Sequence, residues 1–190
     1  MKVLALSGSA RALSLNTKLL KIAAATAEAV GAKITMVSLR DLGLPIYDAD
    51  LEARDGTPVA VLTLRGLFAE HQGVMFASPE YNGSVTALLK NSLDWCSRPH
   101  EGKDGLLAFR GKPAVLLSAS PSPFGGIRGV GHLRGILSKM GMHVLPDEII
   151  LPFAPKAFAA DGALVDSTTQ SLILSVCQKF VGEGARSQPL

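Results

Sequence analysis

The chain of 190 residues is 47% hydrophobic and 18% charged, a balance that fits one globular domain with a substantial core and excludes a disordered or coiled-coil protein. Its net charge of +3 comes from Lys and Arg dispersed along the chain rather than gathered into a stripe, which gives nucleic-acid binding little footing and modestly favours small anions such as phosphorylated nucleotides. No run is long and apolar enough to span a membrane, and Met1 to Leu6 lead into Ser7-Gly8 without the apolar stretch and cleavage signal of a secretory peptide.

Lys2 to Leu6 is a short apolar run, the first predicted strand. Asn16 to Val30 then carries an apolar face through Leu19, Leu20, Ala23, Ala27 and Val30 at helical spacing. A second strand is predicted over Ile34 to Val37, a helix over Thr57 to Glu70, a third strand over Val74 to Ala77 and a helix over Ala87 to Trp95. Gly111-Lys112-Pro113 punctuates the chain before Ala114 to Ser118, apolar enough for a strand covered on both faces. Val130 to Met140 reads as a helix stopped at Gly141, and His143 to Leu151 holds the fifth strand, its ends blurred by Pro146 and Pro152. Ser167 to Val181 is the last predicted helix, closing a single domain over 1–181 with a flexible tail over 182–190. Strands alternating with helices imply a parallel α/β sheet with right-handed crossovers. The expected order is 2-1-3-4-5, with ligands above the carboxyl ends of the strands near the switch point. The stretches Arg40 to Gly56 and Ser97 to Arg110 read as long loops, candidates for lids or subunit contacts.

Three loops follow the first, third and fourth predicted strands, and all three are polar. Ser7 to Thr17 combines hydroxyls, the Arg11 fork, the Asn16 amide and the N–H groups of a helix start, which together suit a phosphate. Ordinary capping, with Ser14 as N-cap and Arg11 solvated, is the competing reading. The loop has neither G-x-G-x-x-G nor a Gly-Lys-Ser/Thr ending, so a mononucleotide fits better than a dinucleotide. Ser78-Pro79-Glu80-Tyr81-Asn82-Gly83-Ser84 mixes a rigid Pro, an aromatic ring, polar side chains and an exposed Gly amide ahead of a helix, as a flat ring with polar edges requires. Ser118 to Arg128 places Ser120 just past the fourth strand, while Gly125 and Gly126 allow close backbone approach or positive φ.

Ser7-Gly8-Ser9 with Arg11, Ser14 and Asn16, then Pro79-Glu80-Tyr81-Asn82 with Leu89-Lys90-Asn91 and Asp94-Trp95, then Ser118-Ala119-Ser120-Pro121 with Gly125-Gly126 and Arg128, resembles the NADPH-dependent FMN reductase family. The likeness runs from Met1 to about Leu151 in motif order and spacing. The resemblance implies a flavodoxin-like fold, FMN as cofactor and NAD(P)H as co-substrate. It further implies that Ser9, Arg11, Ser14, Leu15 and Asn16 hold the FMN phosphate, and that Glu80, Tyr81, Asn82 and Gly83 run along the isoalloxazine ring. Pro79 would shape the approach, Ser120 close the site, and Gly125 and Gly126 line its rim. No side-chain acid, base or nucleophile is required when a flavin carries the chemistry. Backbone amides around Asn82 and Gly83 suit the pyrimidine edge of the ring, where negative charge develops on reduction.

The expected activity takes a hydride from NAD(P)H onto flavin and passes electrons to a quinone, azo compound, free flavin or similar acceptor. With no separate nicotinamide domain, both substrates use the exposed ring face in turn, which predicts ping-pong kinetics. A flavodoxin-type electron carrier docking on protein partners is the alternative, opposed by the basic pI of about 9.0 and the Arg-bearing first loop. A flavin-free domain that keeps the fold is a third reading.

Tyr81 either packs on the ring or a partner subunit, or is a half-buried loop aromatic. Trp95 is either core or subunit interface, and the resemblance favours the interface. A homodimer is expected. A tetramer is less so, because some tetrameric relatives link the Arg at the position of Arg128 to a Glu and to a Tyr across subunits; Gly131 stands at that Tyr position, with Glu148 as a candidate acidic partner. Lys90 and Asp94, four apart, suit an ion pair. Arg40, Arg98, Lys103 and Arg110 are candidates for a nicotinamide ribose-phosphate contact, although solvated charge is the commoner fate. His71, His100, His132 and His143 are scattered, so no metal is expected. Cys96 and Cys177 lack metal or redox spacing and suit a reducing compartment, which makes the cytoplasm the expected location.

Overall fold

The structure, a computed structural model, describes residues 1–186. Five apolar runs form strands β1 (Lys2–Ser7), β2 (Lys33–Ser38), β3 (Gly73–Ala77), β4 (Pro113–Ala119) and β5 (His143–Leu151). They lie in one sheet in the expected order β2-β1-β3-β4-β5, with every neighbouring pair parallel. The switch point therefore falls between β1 and β3, and the loops after these two strands open side by side.

Among the described residues there are six α-helices, α1 (Leu15–Ala29), α2 (Ala49–Asp55), α3 (Val59–Glu70), α4 (Ala87–Cys96), α5 (Ile127–Lys139) and α6 (Ser167–Arg186), and all but the short α2 pack on the sheet. Side chains alternate along each strand, so each central strand feeds two cores. Val3, Ala5, Met75 and Val115 pack with Leu19, Leu20 and Ala23 of α1 and Phe180 of α6. On the opposite face Leu4, Leu6, Val74 and Phe76 meet Leu64 and Phe68 of α3, Leu93 of α4 and Leu133 of α5. β3 and β4 are buried throughout, as their unbroken apolar runs require, whereas the edge strand β2 is half exposed. Pro146 is tolerated because β5 is the other edge and its pairing with β4 is irregular there. Among the described residues no helix is long and apolar enough to cross a membrane.

Most boundaries fall within two residues of the sequence reading, and the larger departures are instructive. α6 runs on to Arg186, past the predicted end at Val181, and the rest of the predicted tail, 187–190, lies outside the described residues. α5 begins at Ile127 rather than Val130, for a reason found in the functional site. The predicted loop 40–56 contains a 3-10 turn at Arg40–Leu42 and the short helix α2, which buries none of its residues fully and so leaves no apolar periodicity to read.

That segment also corrects the placement of Trp95. The indole is fully buried within its own chain, its N–H donating to the Pro45 carbonyl at 2.8 Å, and Tyr47 meets it edge to face at 4.9 Å. Asn91 ties the same strap down, accepting from the Tyr47 N–H and donating to Pro45, both at 2.8 Å. Trp95 belongs to the core beneath residues 45–47, not to a subunit interface.

Candidate functional site

The loops after β1, β3 and β4 converge at the carboxyl end of the sheet and are laced together. The Gly8 N–H donates to the Ala77 carbonyl at 2.8 Å, joining the first loop to β3. Thr86, the N-cap of α4, accepts from the Leu89 N–H and donates its hydroxyl to the Gly8 carbonyl at 2.7 Å. Ser118, fully buried at the end of β4, donates to the Ser78 carbonyl at 2.8 Å.

The first loop is built from short-range bonds. The Ser7 and Thr17 hydroxyls pair at 2.9 Å, and the Ser9 hydroxyl accepts from the Arg11 N–H at 3.3 Å. Ser14 caps α1 by accepting from the Thr17 N–H at 3.2 Å. Asn16, almost fully buried, makes a two-way clamp on Ala119 of β4, donating to its carbonyl at 2.8 Å and accepting from its N–H at 3.0 Å. The side chains of Ser14 and Asn16 are thus engaged, and what they leave for a ligand is backbone. Among the described residues the N–H groups of Leu15 and Asn16 and the exposed Arg11 guanidinium make no hydrogen bond. Beside them a cavity of about 380 Å³ is lined by Ser9, Arg11, Thr17, Lys21, Ser38 and Arg40. Arg40 also steadies the loop, donating to the Ala10 carbonyl at 3.1 Å. Free amides at a helix start, hydroxyls and three cations, with the Asp41 carboxylate also on the cavity wall, are a donor set of the kind that can hold an anion. Arg98 and Arg110, two of the other cations weighed for a ribose phosphate, pair with Glu52 and Asp104 instead.

After β3 the chain makes a two-residue hairpin. Tyr81 and Ser84 exchange backbone bonds of 3.0 and 3.1 Å around Asn82 and Gly83, at φ 53° and 79°. Asn-Gly is the pair that tolerates two successive left-handed residues, and the tight turn follows from it. The N–H groups of Asn82 and Gly83 have no partner among the described residues. Tyr81 stands half exposed on this turn, and Ser84 hydrogen-bonds His132 of α5 at 3.0 Å.

After β4, the Ser120 hydroxyl accepts from the Ser122 N–H at 3.2 Å and braces the turn. Gly125 and Gly126 both have positive φ, 62° and 94°. A Cβ on Gly126 would lie 2.1 Å from the Ser118 hydroxyl, so only glycine lets the backbone approach this closely.

The Glu80 side chain is engaged within the chain. Its carboxylate turns toward α5 and accepts from the backbone N–H groups of Arg128 at 3.0 Å and Gly129 at 3.1 Å and from Arg128 Nε at 2.8 Å. Burial alone would raise its pKa. The Arg128 side chain, the Gly129 N–H, the charge on Arg128 and the Arg128 N–H together outweigh burial and hold it below the ordinary glutamate value. This remote cap explains the early start of α5, since Gly126 at the N-cap position offers no side-chain acceptor. The same bonds overturn the expected acidic partner for Arg128: Glu148 pairs with Arg134, at 2.7 and 3.0 Å.

Thr86 and Lys21 were missed by the sequence reading, Arg40 was weighed only for a nicotinamide ribose phosphate, and Ser118 was read only as part of the third-loop motif. Thr86 alone carried a local signal, a threonine just before a helical pattern. Lys21, Arg40 and Ser118 reach their places through the fold.

The model of the NADPH-dependent FMN reductase family matches residues 1–156. An NAD(P)H-dependent FMN reductase of Pseudomonas aeruginosa is 40% identical, the match covering 91% of this chain and 89% of that protein. An NADPH:quinone oxidoreductase of Arabidopsis thaliana is 38% identical, with 93% and 88% covered. Among solved structures, FerB of Paracoccus denitrificans, a flavoenzyme NAD(P)H:(acceptor) oxidoreductase, superposes with a TM-score of 0.82 at 30% identity, over 98% of both chains. The motifs quoted from the sequence thus sit on one rim of a flavodoxin-like sheet, and the chain belongs to the NADPH-dependent FMN reductase family.

Proposed function

We propose that the protein is an FMN-dependent NAD(P)H oxidoreductase whose first loop holds the flavin phosphate and whose two other loops hold and expose the ring. The observation that carries this reading is the placement of unpartnered donors. The Ser9 hydroxyl and Arg11 line one cationic cavity, the Leu15 and Asn16 amides lie free at the start of α1 in the same loop, and the Asn82 and Gly83 amides stand free on the tight turn after the neighbouring strand β3. These residues fit FMN: a dianion meets cations and a helix start, and a polar ring edge meets backbone donors. When bound, FMN supplies the two-electron chemistry, accepting hydride from NAD(P)H and delivering electrons to an acceptor.

The chain's own residues bind, orient and tune. Arg11, with Arg40 and Lys21 behind it, neutralises the phosphate. The Asn82-Gly83 turn presents fixed dipoles to the ring edge and disfavours loss of charge there. Ser120, Gly125 and Gly126 shape the rim, and Pro79 sets the entry of the turn. The site offers one open face to both substrates, so nicotinamide leaves before the acceptor enters. Quinones are the proposed acceptor class, by likeness to the quinone-reducing relatives. Exposed Leu13, Tyr81 and Phe124 on these loops, with Ile127 at the start of α5 and Phe153 just past β5, suit a homodimer in which a partner walls the pocket; Trp95 has no part in it.

A visible spectrum of the purified protein, followed by NADH or NADPH without oxygen, tests the reading. A flavin spectrum that bleaches on nicotinamide addition and returns on adding a quinone is expected. A colourless protein that takes up no FMN would refute it.

A further inference from the structure

Glu80 is 8% exposed, and every strong contact of its carboxylate is to the start of a helix that begins 47 residues later (127 − 80). Four donor groups converge on it. The backbone N–H groups of Arg128 and Gly129 share Oε2, while Arg128 Nε and Nη2 approach Oε1 at 2.8 and 2.7 Å. The helix gives up local capping to allow this: Gly126 stands at its N-cap, and a Cβ on Gly129 would lie 3.3 Å from the Glu80 Cβ. Glu80 is the residue before the hairpin whose Asn82 and Gly83 amides are unpartnered. A carboxylate so saturated and so placed is not available to the flavin.

We infer that Glu80 is a positioning residue: its carboxylate fastens the Asn82-Gly83 turn to α5, so that the ring-facing donors after β3 and the rim after β4 are held at one fixed spacing. The role rests on the reading that these amides meet the flavin ring. Two loops far apart in sequence then behave as one wall, and Arg128 serves the cofactor without touching it. Phe124 takes part in the same joint, since the Arg128 guanidinium lies 5.1 Å from its ring centre.

The test is flavin binding by Glu80→Gln and Arg128→Ala, titrated with FMN and with riboflavin beside the wild type, together with thermal unfolding and the visible circular dichroism of the bound flavin. Glu80→Gln turns an amide NH2 toward N–H donors, and both flavins should bind roughly tenfold more weakly, the scale of one lost charge-assisted hydrogen bond. The dichroism should change, because the ring sits against a looser wall. Arg128→Ala keeps both backbone bonds to Glu80 and should weaken both flavins by only about threefold. It also keeps the test decisive should Glu80→Gln fail to fold. Wild-type affinity for riboflavin in a folded Glu80→Gln or Arg128→Ala protein would overturn the role. So would a loss confined to FMN, which would assign Glu80 to the phosphate. A wild-type protein that binds neither flavin would overturn the flavin reading itself, whatever the variants do.

Discussion

The proposed phosphate end and the proposed ring end of the site are built by different means. The first loop is shaped by bonds between near neighbours, Ser7 to Thr17, Ser9 to Arg11 and Ser14 to Thr17, is tied to the sheet at its two ends by Gly8 on Ala77 and Asn16 on Ala119, and leaves its cations exposed. The ring end is held by side chains that cross from one loop to another, Glu80 to Arg128 and Gly129 and Ser118 to Ser78, while Thr86 to Gly8 joins the two ends. An anion needs charge and free amides, which a short loop supplies wherever it folds. A flat ring needs donors at fixed spacing, which only cross-braced loops supply.

The largest expected effect breaks the ring end alone. Gly126→Ala forces a Cβ against the Ser118 hydroxyl at a φ of 94°, so overpacking and a left-handed backbone add, and stability should fall by about 3 kcal/mol. Denaturant unfolding reads the loss, and affinity for FMN and riboflavin should fall together.

Arg11→Ala breaks the phosphate end instead. A charge-assisted bond contributes about 1.5–3 kcal/mol, so FMN should bind roughly ten- to a hundredfold more weakly. Riboflavin, lacking the phosphate, should be nearly indifferent, and the melting temperature of the flavin-free protein should stay put. Equal losses for the two flavins would erase the distinction between the ends.

A milder change sharpens it. Gly83 has φ 79° with open space where a Cβ would go, so Gly83→Ala meets strain but no clash and should cost about 1 kcal/mol. A cost as large as that of Gly126→Ala, measured by the same unfolding experiment, would mean that the turn is packed more closely than its geometry shows.

The smallest effect is in pH. The pKa of Glu80 is lower folded than unfolded, so its contribution is complete above the unfolded value, roughly 4.3, and is lost as pH falls through the lower folded value. Riboflavin affinity measured downward from pH 5 should therefore hold through the ordinary glutamate range and fall only below it. Glu80→Gln should remove that acid-side fall. A wild-type loss centred on the ordinary glutamate value would contradict a braced carboxylate.

The same contrast decides what the sequence revealed. Strand order and the two-sided core were legible, because β3 and β4 are unbroken apolar runs and Leu19, Leu20, Ala23 and Ala27 keep one helical face. The first loop was legible in kind, its hydroxyls and Arg11 lying within a few residues of a helix start. The ring end was legible only as a motif. Nothing near Glu80 signals that its partner is the start of α5, and nothing near Trp95 signals that Pro45 and Tyr47 cover it. Both facts depend on pairs distant in the chain, and there the resemblance pointed to an interface where the fold makes a core. Asn16 lies between these cases: its place at a helix start was plain, but its grip on Ala119 belongs to the folded sheet.

The proposed function has both ends serve one flavin with one open face, and steady-state kinetics test that most directly. Initial rates with NAD(P)H varied at several fixed quinone concentrations should give parallel double-reciprocal lines, with excess quinone competing against NAD(P)H for the face above Pro79 to Gly83. Intersecting lines, or a complex holding nicotinamide and quinone together, would contradict the single shared face.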